Sequence, residues 1–155
     1  MARSLARPIL IGTLIAGTLD ILAAVGLTLI YGRDPMTMLR YVASGPFPAA
    51  TDMGTAGSIL GLAVHFALMA IMVTIFVLAA TRLRRLWQQP VLWGTLYGLA
   101  TYVAMNLIVV PLRFQTPLPP STRAILTQLF CHIVLVGIPV ALVTAKHFRS
   151  RSPFR

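Results

Sequence analysis

Four apolar runs, residues 8–31, 55–81, 91–112 and 124–145, dominate this sequence, and each holds 20 or more residues. About 20 apolar residues carry an α-helix across a hydrocarbon core of roughly 30 Å. Lipid offers no partner to a backbone N–H or C=O, so only helices or closed barrels cross it. None of the runs alternates as a barrel strand does. The expectation is an all-α, polytopic membrane protein: one domain over residues 1–155, four transmembrane helices in a bundle, and a basic tail at 146–155. Composition agrees, with 57% hydrophobic residues, 10% charged residues and a mean hydropathy of +0.84. A soluble domain carries about 25% charged residues, and one this small has too little interior to hide the apolar excess.

The net charge of +10 raises nucleic acid as a partner. The basic residues instead flank the apolar runs, as topology signals and lipid-headgroup contacts do, and they lack the aromatic interleaving of a single-strand binder. No nucleic-acid partner is expected. Cys131 is the single cysteine, so neither an intrachain disulfide nor a multi-cysteine zinc site is available. The first run follows Arg3 and Arg7 like a signal peptide, but it exceeds the usual 7–15-residue apolar stretch. It also contains Asp20, and no small-residue cleavage site follows, so it reads as a retained helix.

Arg3, Arg7, Arg82, Arg84, Arg85, Lys146, Arg149, Arg151 and Arg155 fall at one end of the four-helix arrangement; Arg33, Arg40, Arg113 and Arg123 fall at the other. The positive-inside rule then places both termini in the cytoplasm. Arg82, Arg84, Arg85, Lys146, Arg149 and Arg151 become contacts for anionic lipid. In the first outer loop, Asp34-Pro35 reads as a helix N-cap followed by Pro at the first position. Met36, Leu39 and Val42 share a face opposite Thr37 and Arg40, and Ser44-Gly45-Pro46 ends the segment. A short amphipathic helix on the outer membrane surface is expected. The second outer loop, with Pro117, Pro119 and Pro120, reads as a stiff link.

An internal repeat is visible. Gly12-Thr13-Leu14 opens the first helix and Gly94-Thr95-Leu96 the third, while the second and fourth each carry a central histidine, His65 and His132. This fits two tandem helix hairpins, with chance similarity between apolar runs as the competing account. At 1.5 Å per residue, Asp20 lies about 18 Å and Tyr102 about 16 Å from the cytoplasmic edge. His65 and His132 lie about 15 and 14 Å from the outer edge. All four share one level near the midplane. Asn106 lies one turn further out on the face of Tyr102, and Gln128 one turn out on the face of His132. A charged Asp at the centre of an isolated helix costs about 2.5–3.5 kcal/mol, so Asp20 is expected to face inward and hydrogen-bond an imidazole. Small residues on the first and second helices, and the Gly94-x3-Gly98 spacing on the third, let helices approach closely. Gly137 and Pro139 are expected to bend the fourth.

Three readings of these polar residues stand side by side. They are interhelical glue, worth about 0.6 kcal/mol a contact; or Asp20, His65, Tyr102, Asn106, Gln128 and His132 form a ligand- or proton-handling site; or His65 and His132 ligate a b-type haem. A metal at Asp20, His65, Cys131 and His132 is disfavoured, because consecutive residues point about 100° apart on a helix. The chain has no Glu, no GxSxG, no HExxH and no phosphate loop, so enzymatic activity is not the leading reading.

Gly94-x3-Gly98, Asn106, Val110-Pro111-Leu112, Thr116-Pro117 and His132 together resemble the YagU-like group of small bacterial inner-membrane proteins, over about the last 60 residues. The group's long first outer loop is missing here. The resemblance implies a four-helix inner-membrane protein and brings no catalytic residues. The functional expectation is a non-enzymatic, membrane-embedded binding or accessory protein that self-associates or joins a larger complex. The alternatives are a proton-coupled transporter or channel-like oligomer, and a haem-bearing electron-transfer subunit.

Overall fold

The computed structural model describes residues 4–150, so Arg3, Arg151 and Arg155 lie outside it. It is helical throughout, with four helices long and apolar enough to cross a membrane: α1 (Ala6–Ile30), α3 (Gly54–Arg82), α5 (Pro90–Phe114) and α6 (Thr122–Arg149). The shorter α2 (Pro35–Ser44) joins α1 to α3 by way of a 3-10 turn, Pro48–Asp52, and α4 (Arg85–Gln88) joins α3 to α5. The chain is a small multi-pass membrane protein. The helix α6 continues through Lys146, His147 and Arg149, the first residues of the expected basic tail.

The end of α1 is set by local chemistry. Gly32 adopts φ +65, which a glycine tolerates without strain. Its N–H bonds the Leu29 carbonyl at 2.9 Å, and the Arg33 N–H bonds that of Thr28 at 2.9 Å, the paired closure that satisfies a helix C-terminus. Asp34 then caps α2, accepting from the N–H groups of Met36 (3.1 Å) and Thr37 (2.8 Å). The helix forms where the sequence places it, but it packs on protein. Gly57 and Gly61 of α3 lie directly against the carbonyls of Ala50 and Leu39, and Ser58 donates to the Met36 carbonyl at 2.9 Å. Met36 stays exposed while Ala43 and Ser44 are buried. At the far end, Arg113 of α5 donates to the carbonyls of Gly45 (2.6 Å) and Ser44 (2.9 Å).

In the bundle, α1 packs on α3 and α6, and α6 packs on α1 and α5. Tyr97 of α5 closes the ring, donating to the Met72 carbonyl of α3 at 2.7 Å. The two histidine-bearing helices, α3 and α6, approach each other in the half nearest the termini, over Ile138–Arg149 of α6. Both α5 and α6 contain a π-helical stretch, Val103–Val109 and Cys131–Gly137. Pro111 and Pro139 follow these stretches by two residues; each lacks an N–H and crowds the carbonyl four residues back, which forces the local bonding out of the α pattern. In α6 the widened turn ends at Gly137, two residues before Pro139, where the sequence places a bend.

Packing differs sharply between the two ends. The buried core (Ala16, Met69, Val73, Phe76, Val77, Val136, Val140 and their neighbours) fills the half nearest the termini. Above it, no residue is fully buried in α1 beyond Ile21, in α5 beyond Tyr102, or in α6 before Cys131. The glycine spacing on α5 serves the tight half: Gly94 and Gly98 meet the backbone of Gly137, His132 and Ile133 on α6.

Candidate functional site

Two separate polar clusters lie at the level where the packed half gives way to the open half. The first joins α1 and α3. His65 is held by its Nε2, 2.9 Å from the Gly17 carbonyl oxygen, so that nitrogen carries the proton and donates. Its Nδ1 then faces the Asp20 carboxylate at 4.0 Å. That distance allows an ion pair and exceeds a direct hydrogen bond. Among the described residues the Asp20 carboxylate accepts no hydrogen bond, and its side chain is 22% exposed. Phe66 packs edge-on against the His65 ring and fills the space beside Gly17.

The second cluster joins α5 and α6. Thr101 donates its hydroxyl hydrogen to the Gly98 carbonyl at 2.9 Å, which leaves its oxygen free to accept from His132 Nδ1 at 3.2 Å. His132 Nε2 is then the acceptor for the Asn106 amide at 3.1 Å. One neutral tautomer, protonated on Nδ1, satisfies the whole chain. Tyr102 adds its ring, edge-on to His132 with centroids 6.1 Å apart. Thr101 is the member that the sequence reading missed. The signal was present, because Gly94, Gly98 and Thr101 are spaced four and three residues apart on one helical face.

Asp20, His65, Tyr102, Asn106 and His132 thus divide into two sets. Each histidine bonds the preceding membrane-crossing helix, the relation that two tandem hairpins would share. Gln128 belongs to neither set. It is half-buried and lines a cleft one turn above Cys131, between the open halves of α1 and α6.

The residues do not fit a bis-histidine haem. Each axial ligand needs a free ring nitrogen directed at the iron. Both nitrogens of His132 are taken by Thr101 and Asn106, and His65 spends Nε2 on Gly17. Among the described residues no three His, Cys, Asp or Glu side chains converge as a metal site would require; Cys131 is buried and unpaired with another cysteine.

The cations also divide. At the loop end, Arg40 pairs with Asp34 at 3.8 Å, Arg113 caps α2, and Arg123 stacks over Tyr31 at 5.5 Å. At the termini end, Arg82, Arg84, Arg85 and Lys146 are exposed, and Arg149 donates to the Gln88 carbonyl at 2.8 Å. No protein-family model, curated protein or solved structure matches this chain.

Proposed function

We propose that this chain is a non-enzymatic, membrane-embedded binding protein whose working element is the Asp20–His65 pair. One observation carries the reading: the Asp20 carboxylate accepts no hydrogen bond among the described residues, while a ring nitrogen faces it at 4.0 Å. His132 and His65 Nε2, at the same level, are satisfied within the bundle. A carboxylate at this depth must hold a proton, a cation or a polar solute to offset its desolvation. One proton serves the gap in either of two ways, on Asp20 facing a neutral imidazole or on His65 in an ion pair. A small solute carrying an N–H or a cationic centre would replace that proton, so binding and protonation are linked.

The test is nitrogen-15 NMR of the His65 ring in the full chain in lipid nanodiscs, with and without Asp20→Asn. The reading expects the Nδ1 resonance to change in the variant while Nε2 stays bonded to the Gly17 carbonyl. An Nδ1 resonance indifferent to that change leaves the pair as interhelical glue.

A proton-coupled transporter is the second reading, and the one-sided opening of the bundle favours it, with the cleft reaching to one turn above Asp20 and the core closed beneath. Wild-type proteoliposomes without pH-dependent flux would remove it. Location in a bacterial inner membrane, with both termini cytoplasmic, is part of the proposal. The exposed termini-end cations support it, as ligands for anionic lipid, and so does the resemblance to the YagU-like group. Self-association would run through the lipid-facing surfaces.

A further inference from the structure

Arg33 and Arg123, 90 residues apart in sequence, line the same cleft between the open halves of α1 and α6. Its volume is about 580 Å³. Both backbones are held in place: Arg33 closes the C-terminus of α1, and Arg123 follows the Ser121 cap of α6, whose hydroxyl accepts from the Ala124 N–H at 3.3 Å. The Tyr31 ring beneath Arg123 orients its guanidinium, 5.5 Å from the ring centroid. Among the described residues neither arginine pairs with a carboxylate. The nearest acid along the chain, Asp34, spends its oxygens on Met36, Thr37 and Arg40. The side chains of Thr127 and Gln128 on the α6 wall make no hydrogen bond within the described residues, whereas the Thr28 hydroxyl opposite them is already bonded to the Ala24 carbonyl at 2.7 Å. The cleft therefore combines two uncompensated positive charges, neutral donors with unused capacity, and no free acceptor charge.

We propose that this cleft binds an oxyanion, the phosphate or carboxylate group of a small ligand, seated between Arg33 and Arg123. Guanidinium groups match such oxygens in pairs, and the positive end of α6 points the same way. The site stands apart from the Asp20–His65 reading and does not depend on it. Its phosphate has two sources: a solute from the aqueous phase, or the headgroup of a phospholipid in the facing leaflet.

Equilibrium dialysis of the full chain in a phosphate-free nonionic detergent against radiolabelled orthophosphate tests the site. Saturable binding is expected, weakened about tenfold or more by Arg33→Gln or by Arg123→Gln. Arg33→Gln alters an exposed position beyond the end of α1, so folding is preserved, and circular dichroism verifies it. Transfer to nanodiscs separates the sources: orthophosphate binding that persists marks a soluble ligand, whereas binding lost alongside a co-purifying phospholipid that the arginine variants release marks the headgroup. Absence of saturable binding in detergent, or equal binding by the Arg33→Gln/Arg123→Gln double variant, overturns the proposal.

Discussion

His65 spans one turn of α1, donating Nε2–H to the Gly17 carbonyl at 2.9 Å while Nδ1 faces the Asp20 carboxylate at 4.0 Å. A Cβ on Gly17 would run into the Phe66 ring that packs edge-on against His65. The imidazole is pinned by one bond and leaves its other nitrogen to the carboxyl group.

The gap between those two groups has an energetic consequence. At 4.0 Å no direct bond couples them, so a double-mutant cycle with Asp20→Asn and His65→Gln is expected to give a coupling below about 1 kcal/mol, near the interhelical polar average of about 0.6. Reversible unfolding in mixed micelles measures it. A coupling of several kcal/mol would show instead that the pair closes into a direct bond in lipid.

For His132 the bonding chain fixes which nitrogen bears the proton. Nitrogen-15 NMR is expected to show Nδ1 protonated and Nε2 bare. Thr101→Val strands the Nδ1 donor and Asn106→Leu strands the Nε2 acceptor, each at a cost of about 1 kcal/mol. The opposite tautomer in the spectrum would mean that Asn106 presents its oxygen to the ring.

Glycines should respond by environment. A Cβ on Gly98 meets the His132 carbonyl and comes within 2.6 Å of Ile133 Cα, both backbone atoms that cannot rotate away. Gly98→Ala is expected to cost about 1–3 kcal/mol, as overpacking does. Nothing lies within 4 Å of a Cβ on Gly26, and Gly26→Ala should be neutral or stabilising by up to about 1 kcal/mol through helix propensity. Thermal unfolding of the two variants side by side decides.

The α2 cap carries a pH signature. Asp34 sits below its ordinary value of 3.8, first because the Thr37 hydroxyl bonds the carboxylate, then through the backbone N–H groups of Thr37 and Met36 and the nearby Arg40. A depressed folded-state value means that the cap's stabilisation is fully present above the ordinary carboxylate range and is lost as pH falls through the depressed one. Amide exchange at Met36 and Thr37, corrected for intrinsic rate, is expected to lose protection in that acid window. In Asp34→Ala the protection should be absent at every pH. Equal protection in both proteins would show that packing on α3, and not the cap, holds the first turn.

Other parts of the fold yield to sequence reading unevenly. Asp34-Pro35 marks the start of α2 because capping is settled within four residues. The resting place of α2 is another matter, since it depends on Gly57 and Gly61 some twenty positions away. Helix rise puts Asp20, Tyr102, His65 and His132 at one depth; it says nothing of azimuth, so it does not reveal that His65 turns to α1 while His132 turns to α5. The π-helical stretches had a local signal in Pro111 and Pro139, but their effect appears only where Asn106 reaches His132 across the helix pair.

By itself, the order of residues determined that this chain crosses a membrane four times, because the length of an apolar run against the thickness of a bilayer is a one-dimensional quantity. Helix azimuth, the turning of His65 to α1 and of His132 to α5, and the opening above Asp20 were decided only in three dimensions. They depend on which small residue faces which backbone, a relation between segments that no single segment carries.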